Sequence, residues 1–383
     1  MQRAFEKIGI STGILFLGIV SFFTDISTEI VLAILPLFLV YQIGVTADII
    51  GIIEGIAESI SSILKSISGY ISDRIGKRKK LIVIGYGISN IVKPFLGFSY
   101  DWSHVLFIRI IDRIGKGIRT SPRDAIITEI TTENKIGRAF GIHRTLDQLG
   151  AVTGPLLAFP LLAILGYRNT FFFTAIPGII AIIILIIFVK EPKTITKTMI
   201  KKEKFHINKK FMKYLFSVAF YSIGAISYAF IMLKAIEIGI IEEFIPLLYA
   251  IIQIFHVIAG IPAGELSDKI GRKITLQLGY LFLLISFTII VFINNIFGIL
   301  LGVIMFGLHK GIVETSQRAL IPSLISDEHK ATAYGIYNMI LGILTLPTNI
   351  IAGILFTINS SYTFYYGIFF VIIAIISLKF IEK

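Results

Sequence analysis

The sequence predicts an all-α membrane protein of about twelve spanning helices arranged as two similar six-helix bundles. Three observations carry this. The 383 residues are 55% hydrophobic and only 16% charged, with a mean hydropathy of +0.85, whereas soluble domains carry about a quarter charged residues. Apolar runs recur at the length a helix needs to cross hydrocarbon. Short motifs recur at one fixed spacing.

Runs of about twenty mostly apolar residues place spans at 10–41, 46–72, 80–98, 102–122, 137–164, 168–190, 210–235, 241–266, 274–293, 296–322, 330–357 and 361–380. The first run resembles a signal peptide, but no small-residue cleavage site follows and the apolar pattern continues to about Val40. No alternating strand pattern of the barrel kind occurs, which leaves helices as the spanning element.

The net charge of +12 would suggest nucleic acid on a soluble domain. Here the bases sit in short turns, so nucleic acid is not an expected partner and the lipid bilayer is. After even-numbered spans come Arg74, Lys77, Arg78, Lys79 and Lys80, then Lys135 and Arg138, then Lys269, Arg272 and Lys273. The opposite turns "YQIGVTAD", "SYDWS" and "FINNIF" have no Lys or Arg. The positive-inside rule then predicts a cell-membrane protein with both termini in the cytoplasm. Cysteine is absent, which excludes disulfides and thiol catalysis.

The two halves repeat. "KGIRTSPRDA" from Lys116 matches "KGIVETSQRA" from Lys310, and "AFGIHRT" from Ala139 matches "AYGIYNM" from Ala333, both 194 residues apart. The expected organisation is a six-helix bundle at 1–190, a basic cytoplasmic link at 191–209 and a second six-helix bundle at 210–383.

Between the second and third spans stand Gly69, Asp73, Arg74, Gly76, Lys77 and Arg78; between the eighth and ninth stand Gly264, Asp268, Lys269, Gly271, Arg272 and Lys273. This doubled turn resembles the signature of the major facilitator superfamily, and the resemblance covers almost the whole chain. It implies a secondary transporter with the substrate near the midplane between the halves. It also implies a gate on the cytoplasmic side. Asp73 would cap helix eleven near Thr332–Tyr334, and Asp268 would cap helix five near Gly137 and Arg138. Gly69 is expected to allow close helix approach, and Gly76 a tight reversal.

Ionisable residues inside spans are costly and tend to be functional. Helix one carries Asp25 and Glu29, four residues apart and so on one face; helix two carries Glu54, Glu58 and Lys65. Helix four carries Arg109, Asp112, Arg113, Lys116 and Arg119, and helix five His143, Arg144 and Asp147. Lys116 and Arg119 are read as interfacial, and Lys93 in helix three as snorkelling outward. Asp25 and Glu29 lie midway along their helix, where burial disfavours charge, which suits a proton carrier. Arg109, Arg113 and Arg144 could hold an anionic group. Gly141, Gly150, Gly154 and Pro155 resemble the glycine–proline motif of drug–proton antiporters, with close packing as the plain alternative. The second half offers Tyr221, Ser222, Tyr228, Gln253, His256, His309, Tyr337, Asn338 and Asn349. They form a candidate neutral wall, with His256 read as a core histidine.

No phosphate-binding loop, metal motif or dinucleotide fingerprint appears, so no cofactor, metal or enzymatic activity is expected. The expectation is a monomeric transporter moving a small organic solute by alternating access, coupled to protons, with efflux favoured. The alternatives are an uptake symporter and a lipid-handling or sensor protein on the same scaffold.

Overall fold

The structure is a computed structural model that describes residues 12–75, 78–131, 135–191, 208–325 and 329–380. Every regular element among the described residues is helical. α1 (Thr12–Phe38) passes through Pro36 into a π-helical turn at Leu39–Ile43. α2 spans Ala47–Ile75, α3 Arg78–Val92 with a 3-10 extension at Lys93–Phe98, and α4 Trp102–Glu129. α5 (Ile136–Phe173) holds one non-helical residue, Gly166 (φ 70°, ψ 177°), which separates it from the stretch leading into α6 (Ala175–Phe188). α7 comes in two segments, Lys209–Gly224 and Tyr228–Glu237. Then follow α8 (Ile245–Ile270), α9 (Arg272–Phe292), α10 (Ile296–Leu320), α11 (Lys330–Ile358) and α12 (Ser360–Lys379).

The twelve expected spans are therefore present. Nine runs among the described residues are long and apolar enough to cross a bilayer. α5 and α6 count there as one run, and α2 and α4 are absent because they carry the densest ionic stripes. Two boundaries depart from expectation. α4 continues past Pro122 to Glu129, although proline in a helix interior removes one backbone donor and crowds the preceding turn. α7 breaks at Ala225–Ser227, where Ser227 caps the second segment by accepting from Ala229 N at 3.3 Å.

Polar residues in the bare turns close the helix ends. Asp101 accepts from Ser103 N at 2.8 Å, Asn295 from Gly298 N at 3.0 Å, and Asn359 from Ser361 N at 2.9 Å. Each satisfies an orphan N–H of a first turn. These hydrogen bonds hold the Asp101 carboxyl below its usual range.

The chain divides into two compact units. Unit 1 takes the described residues through Phe38 and from Ile60 to Glu191; unit 2 takes Leu39–Ser59 and the described residues from Asn208 onward. The expected link at 191–209 lies almost wholly outside the described residues. In unit 1, α1 packs along α5 and α6, and α3 along α4 and α6. In unit 2, α7 packs along α11 and α12, and α9 along α10 and α12. Each of these four pairings of unit 1 recurs six helices later, so the sequence repeat is also a repeat of packing.

The α1–α5 contact in unit 1 depends on missing side chains. A Cβ at Gly150 would run into the Phe22 carbonyl oxygen, and one at Gly154 would stand 2.7 Å from Glu29 Cβ. Gly141 has open space around it, so the antiporter-like glycines do not act as one set. We predict that Gly150→Leu or Gly154→Leu costs about 1–3 kcal/mol or prevents folding, as overpacking does, while Gly141→Ala leaves the melting temperature unchanged. Thermal unfolding of purified protein in detergent measures both.

Candidate functional site

α1 and α5 bring three carboxyl groups together in unit 1. Asp25 lies against Gly150, and Glu29 against Gly154. The Asp25 and Asp147 carboxyl groups lie within hydrogen-bonding reach of each other. Arg144 NH1 binds Asp147 Oδ2 at 3.3 Å. From α4, Arg123 acts on Asp147 electrostatically and holds Asp124 at 2.9 Å. Arg123 NH1 also donates to Ser21 Oγ at 3.3 Å. Ser21 meets His143 Nε2 at 3.1 Å and Tyr86 OH at 3.0 Å. One serine hydroxyl on α1 thereby joins α3, α4 and α5.

A second cluster joins α1, α3 and α4. Lys93 is 1% exposed, which corrects the snorkelling expectation. Its Nζ donates to Thr28 Oγ1 at 2.9 Å and to Asn90 Oδ1 at 3.0 Å. The 3-10 extension turns Lys93 inward. Asp112 accepts from Ser89 Oγ at 2.6 Å and pairs with Arg109 NH1 at 3.5 Å and Arg113 Nε at 3.7 Å. All three are buried, as buried charges require partners. Arg119 is buried too, its Cζ 4.3 Å from the centre of the Tyr86 ring. α4 runs ten residues beyond Arg119.

Other predicted residues lie apart. Glu54 is buried and Glu58 half-buried, on the stretch of α2 that belongs to unit 2. Lys65 belongs to unit 1, where its carbonyl accepts from Ser121 Oγ at 2.7 Å. In the first signature turn Gly76 and Lys77 lie outside the described residues. Asp73 and Arg74 fall in the last turn of α2, and Arg78 pairs with Glu129 at 3.0 Å. A Cβ at Gly69 would stand 3.5 Å from Ser121 Cβ, ordinary contact, and Gly264 has open space. The close approach expected at Gly69 is therefore not needed there. In the second turn Gly271 adopts φ 96°, a conformation that favours glycine. Asp268 and Arg272 are exposed.

Unit 2 presents a neutral counterpart. Gln317 Nε2 donates to Tyr280 OH at 3.0 Å, Tyr337 OH donates to Gln317 Oε1 at 2.7 Å, and Tyr214 OH to the Gln317 carbonyl at 2.9 Å. Tyr280, Gln317 and Tyr337 stand 194 residues after Tyr86, Arg123 and His143. The two units thus build a polar junction from equivalent positions on equivalent helices. His256, read as a core histidine, bonds Glu314 Oε2 at 3.0 Å. Arg123, Gln317 and Glu314 were not among the predicted site residues. The signal was available, because all three lie within the matching "KGIRTSPRDA" and "KGIVETSQRA" segments.

A repeated six-helix packing scheme with ionic groups inside its spans defines a multi-pass membrane protein of transporter type. The Major Facilitator Superfamily profile matches residues 17–236 and 214–383, and the chain belongs to that family, whose members are transporters. An uncharacterised MFS-type transporter of Methanocaldococcus jannaschii is 35% identical over 383 residues, covering 97% of this chain and 95% of that one. The quinolone resistance protein NorA of Staphylococcus aureus is 22% identical over 173 residues, 45% of this chain and 44% of its own length. Among solved structures, a point mutant of the nucleoside transporter NupG superposes with a TM-score of 0.81 at 14% identity, covering 97% of this chain and all of that one. That likeness concerns the fold.

We predict that Lys93 reacts with an amine-acylating reagent at less than about a tenth of the rate of exposed Lys190 in the folded protein, and fully after denaturation. Peptide mass spectrometry reads both sites. Equal labelling in the folded state would restore the snorkelling placement.

Proposed function

We propose that this protein is a proton-coupled secondary transporter of a small organic solute that works by alternating access, as a monomer in the cell membrane with both termini in the cytoplasm. The observation that carries the coupling is the Asp25–Asp147 contact on the α1–α5 seam. Two carboxyl groups can hydrogen-bond only when a proton lies between them. Arg144 and Arg123 stand beside the pair to balance the charge left when that proton departs. Glu29, one turn along α1, gives the proton a further carrier on the same face. The signature turns with Asp73 and Asp268 are the proposed gating elements.

Efflux is the proposed direction. The partial similarity to NorA supports it, as does the Gly150–Gly154–Pro155 segment that forms the α1–α5 contact. A lipid-handling role is the second reading. An apolar groove of about 400 Å³ between α7 and α11 favours it, lined by Met212, Phe216, Ile340, Ile343 and Leu344. The buried ionic groups of unit 1 favour the first, because a lipid path does not need them.

The test is transport in proteoliposomes, using the solute selected by a ligand-thermostability screen. Imposing a proton gradient is expected to accelerate wild-type transport several-fold. Asp25→Asn and Glu29→Gln are expected to remove that acceleration while the proteins still bind the solute. If both variants respond to the gradient as wild type does, the coupling assignment is wrong.

A further inference from the structure

The seam between α7 and α11 is the unit 2 counterpart of the α1–α5 seam, and the two are built differently. In unit 1 the helices meet through glycines: a Cβ at Gly18 would collide with Leu146, and one at Gly150 with the Phe22 carbonyl oxygen. The positions 194 residues after Gly18 and Gly150 are Met212 and Leu344. Their partners Leu146 and Phe22 become Ile340 and Phe216. Side chains thus stand in both places where unit 1 has none, and they hold α7 and α11 apart. Asp25 and Asp147, whose carboxyl groups meet in unit 1, have Ala219 and Leu341 as counterparts. The closed ionic seam of unit 1 is replaced by an open apolar one, the groove of about 400 Å³ between α7 and α11.

The groove is lined by apolar side chains alone, from Met212 to Ala219 on α7 and from Ile336 to Leu344 on α11. A solute site needs a few convergent polar groups, and this lining supplies none. Met212, Phe216 and Ile343 are 42%, 58% and 55% exposed, so the groove is open along its side. It follows α7 for roughly 10 Å at 1.5 Å per residue. A slot along a spanning helix runs in the direction of the bilayer's own hydrocarbon chains. Its end is basic. The first two turns of α7 and α11 read "KKFMKYLF" and "KATAYGIY", with four lysines and no acid. Asp327 and Glu328, just before α11, lie outside the described residues. Lys209 is exposed and stands three residues before Met212, as Lys213 does before Phe216, which makes them neighbours on the helix surface. This end of α7 is fixed. Asn208 Oδ1 accepts from Phe211 N at 2.7 Å, and its Nδ2 donates to the Leu324 carbonyl at 2.7 Å.

We infer that the α7–α11 groove is a binding site for one hydrocarbon chain of an anionic membrane lipid, with the lipid's phosphate held at Lys209 and Lys213. Lysines at the end of a spanning helix reach the headgroup layer, where anionic lipids attract them. A flexible chain can follow the uneven walls set by Met212, Phe216 and Leu344, and it covers apolar surface that has no partner within the protein. The lipid is a bound companion of the two helices and not a cargo. The site therefore stands whether or not the protein moves lipids, and whether or not Asp25 carries protons.

The test places the full chain in phosphatidylcholine vesicles with a trace of lipid that carries a photoreactive diazirine on one chain. The probe is phosphatidylglycerol in one sample and phosphatidylcholine in the other. After illumination, peptide mass spectrometry locates the labelled residues. Labelling is expected to concentrate on the peptides of Met212–Ala219 and Ile340–Leu344, well above the exposed α6 residues Ile183 and Ile187, which report the ordinary lipid shell. The phosphatidylglycerol probe is expected to label the groove several-fold more than the phosphatidylcholine probe, and unlabelled phosphatidylglycerol to compete. Lys209→Gln is expected to lower that preference about fivefold, the weight of one lysine at an anionic surface. Adding Lys213→Gln is expected to remove it. Ala219→Phe, which fills the groove, is expected to bring labelling down to the α6 level. Equal labelling of groove and α6 would assign only the ordinary lipid shell and overturn the inference. So would equal labelling by the two probes, or a preference that survives loss of both lysines. An unlabelled groove in a chain that light scattering finds dimeric would give the groove to a second copy and overturn it too. Melting curves confirm folding, and Ala219→Leu replaces Ala219→Phe if that variant does not fold.

Discussion

An ionised side chain inside a bilayer must have a partner, and that constraint shapes unit 1. Asp112 lies between Ser89, Arg109 and Arg113, Lys93 is held by Thr28 and Asn90, and Asp147 takes Arg144 on one side and Asp25 on the other. Desolvating such groups singly costs several kcal/mol each, and only good geometry recovers it. The helices that carry them are fixed relative to one another by this requirement. Gly150 and Gly154 let α5 come near enough to α1 for the carboxyl groups to meet. Helix packing and ionic chemistry are here one arrangement.

The two units solve the same packing problem with different chemistry. At equivalent positions, Tyr86, Arg123 and His143 give a charged junction through Ser21, whereas Tyr280, Gln317 and Tyr337 give a neutral one through the Gln317 amide. The frame survives the exchange because each version leaves its donors and acceptors paired. The ionic groups of unit 2 lie elsewhere, among them His256 with Glu314 between α8 and α10, Lys234 with Glu237, and Glu54 on α2. A duplicated scaffold has kept its joints and separated its charges.

Much of this was legible in the sequence because the bilayer admits so few backbone solutions. Hydropathy located the spans, and the 194-residue spacing located the repeat. Side-chain direction was harder. Lys93 sits where a span nears its end, and only the 3-10 extension shows that it turns inward toward Asn90. The fourth apolar run, 102–122, leaves Arg123 and Asp124 outside it, yet both lie within α4. Glu314 stood out only as part of a repeated segment; its tie to His256 spans 58 residues of chain and cannot be read from local pattern.

The chain has a single tryptophan and no cysteine. Trp102 is the first residue of α4, directly after the Asp101 cap, on the helix that carries Arg109, Asp112, Arg113 and Arg123. Its intrinsic emission is therefore an unmixed optical signal from one end of that helix. A lone thiol introduced elsewhere would carry an acceptor dye without background, and distances along the molecule could be followed without removing any native residue.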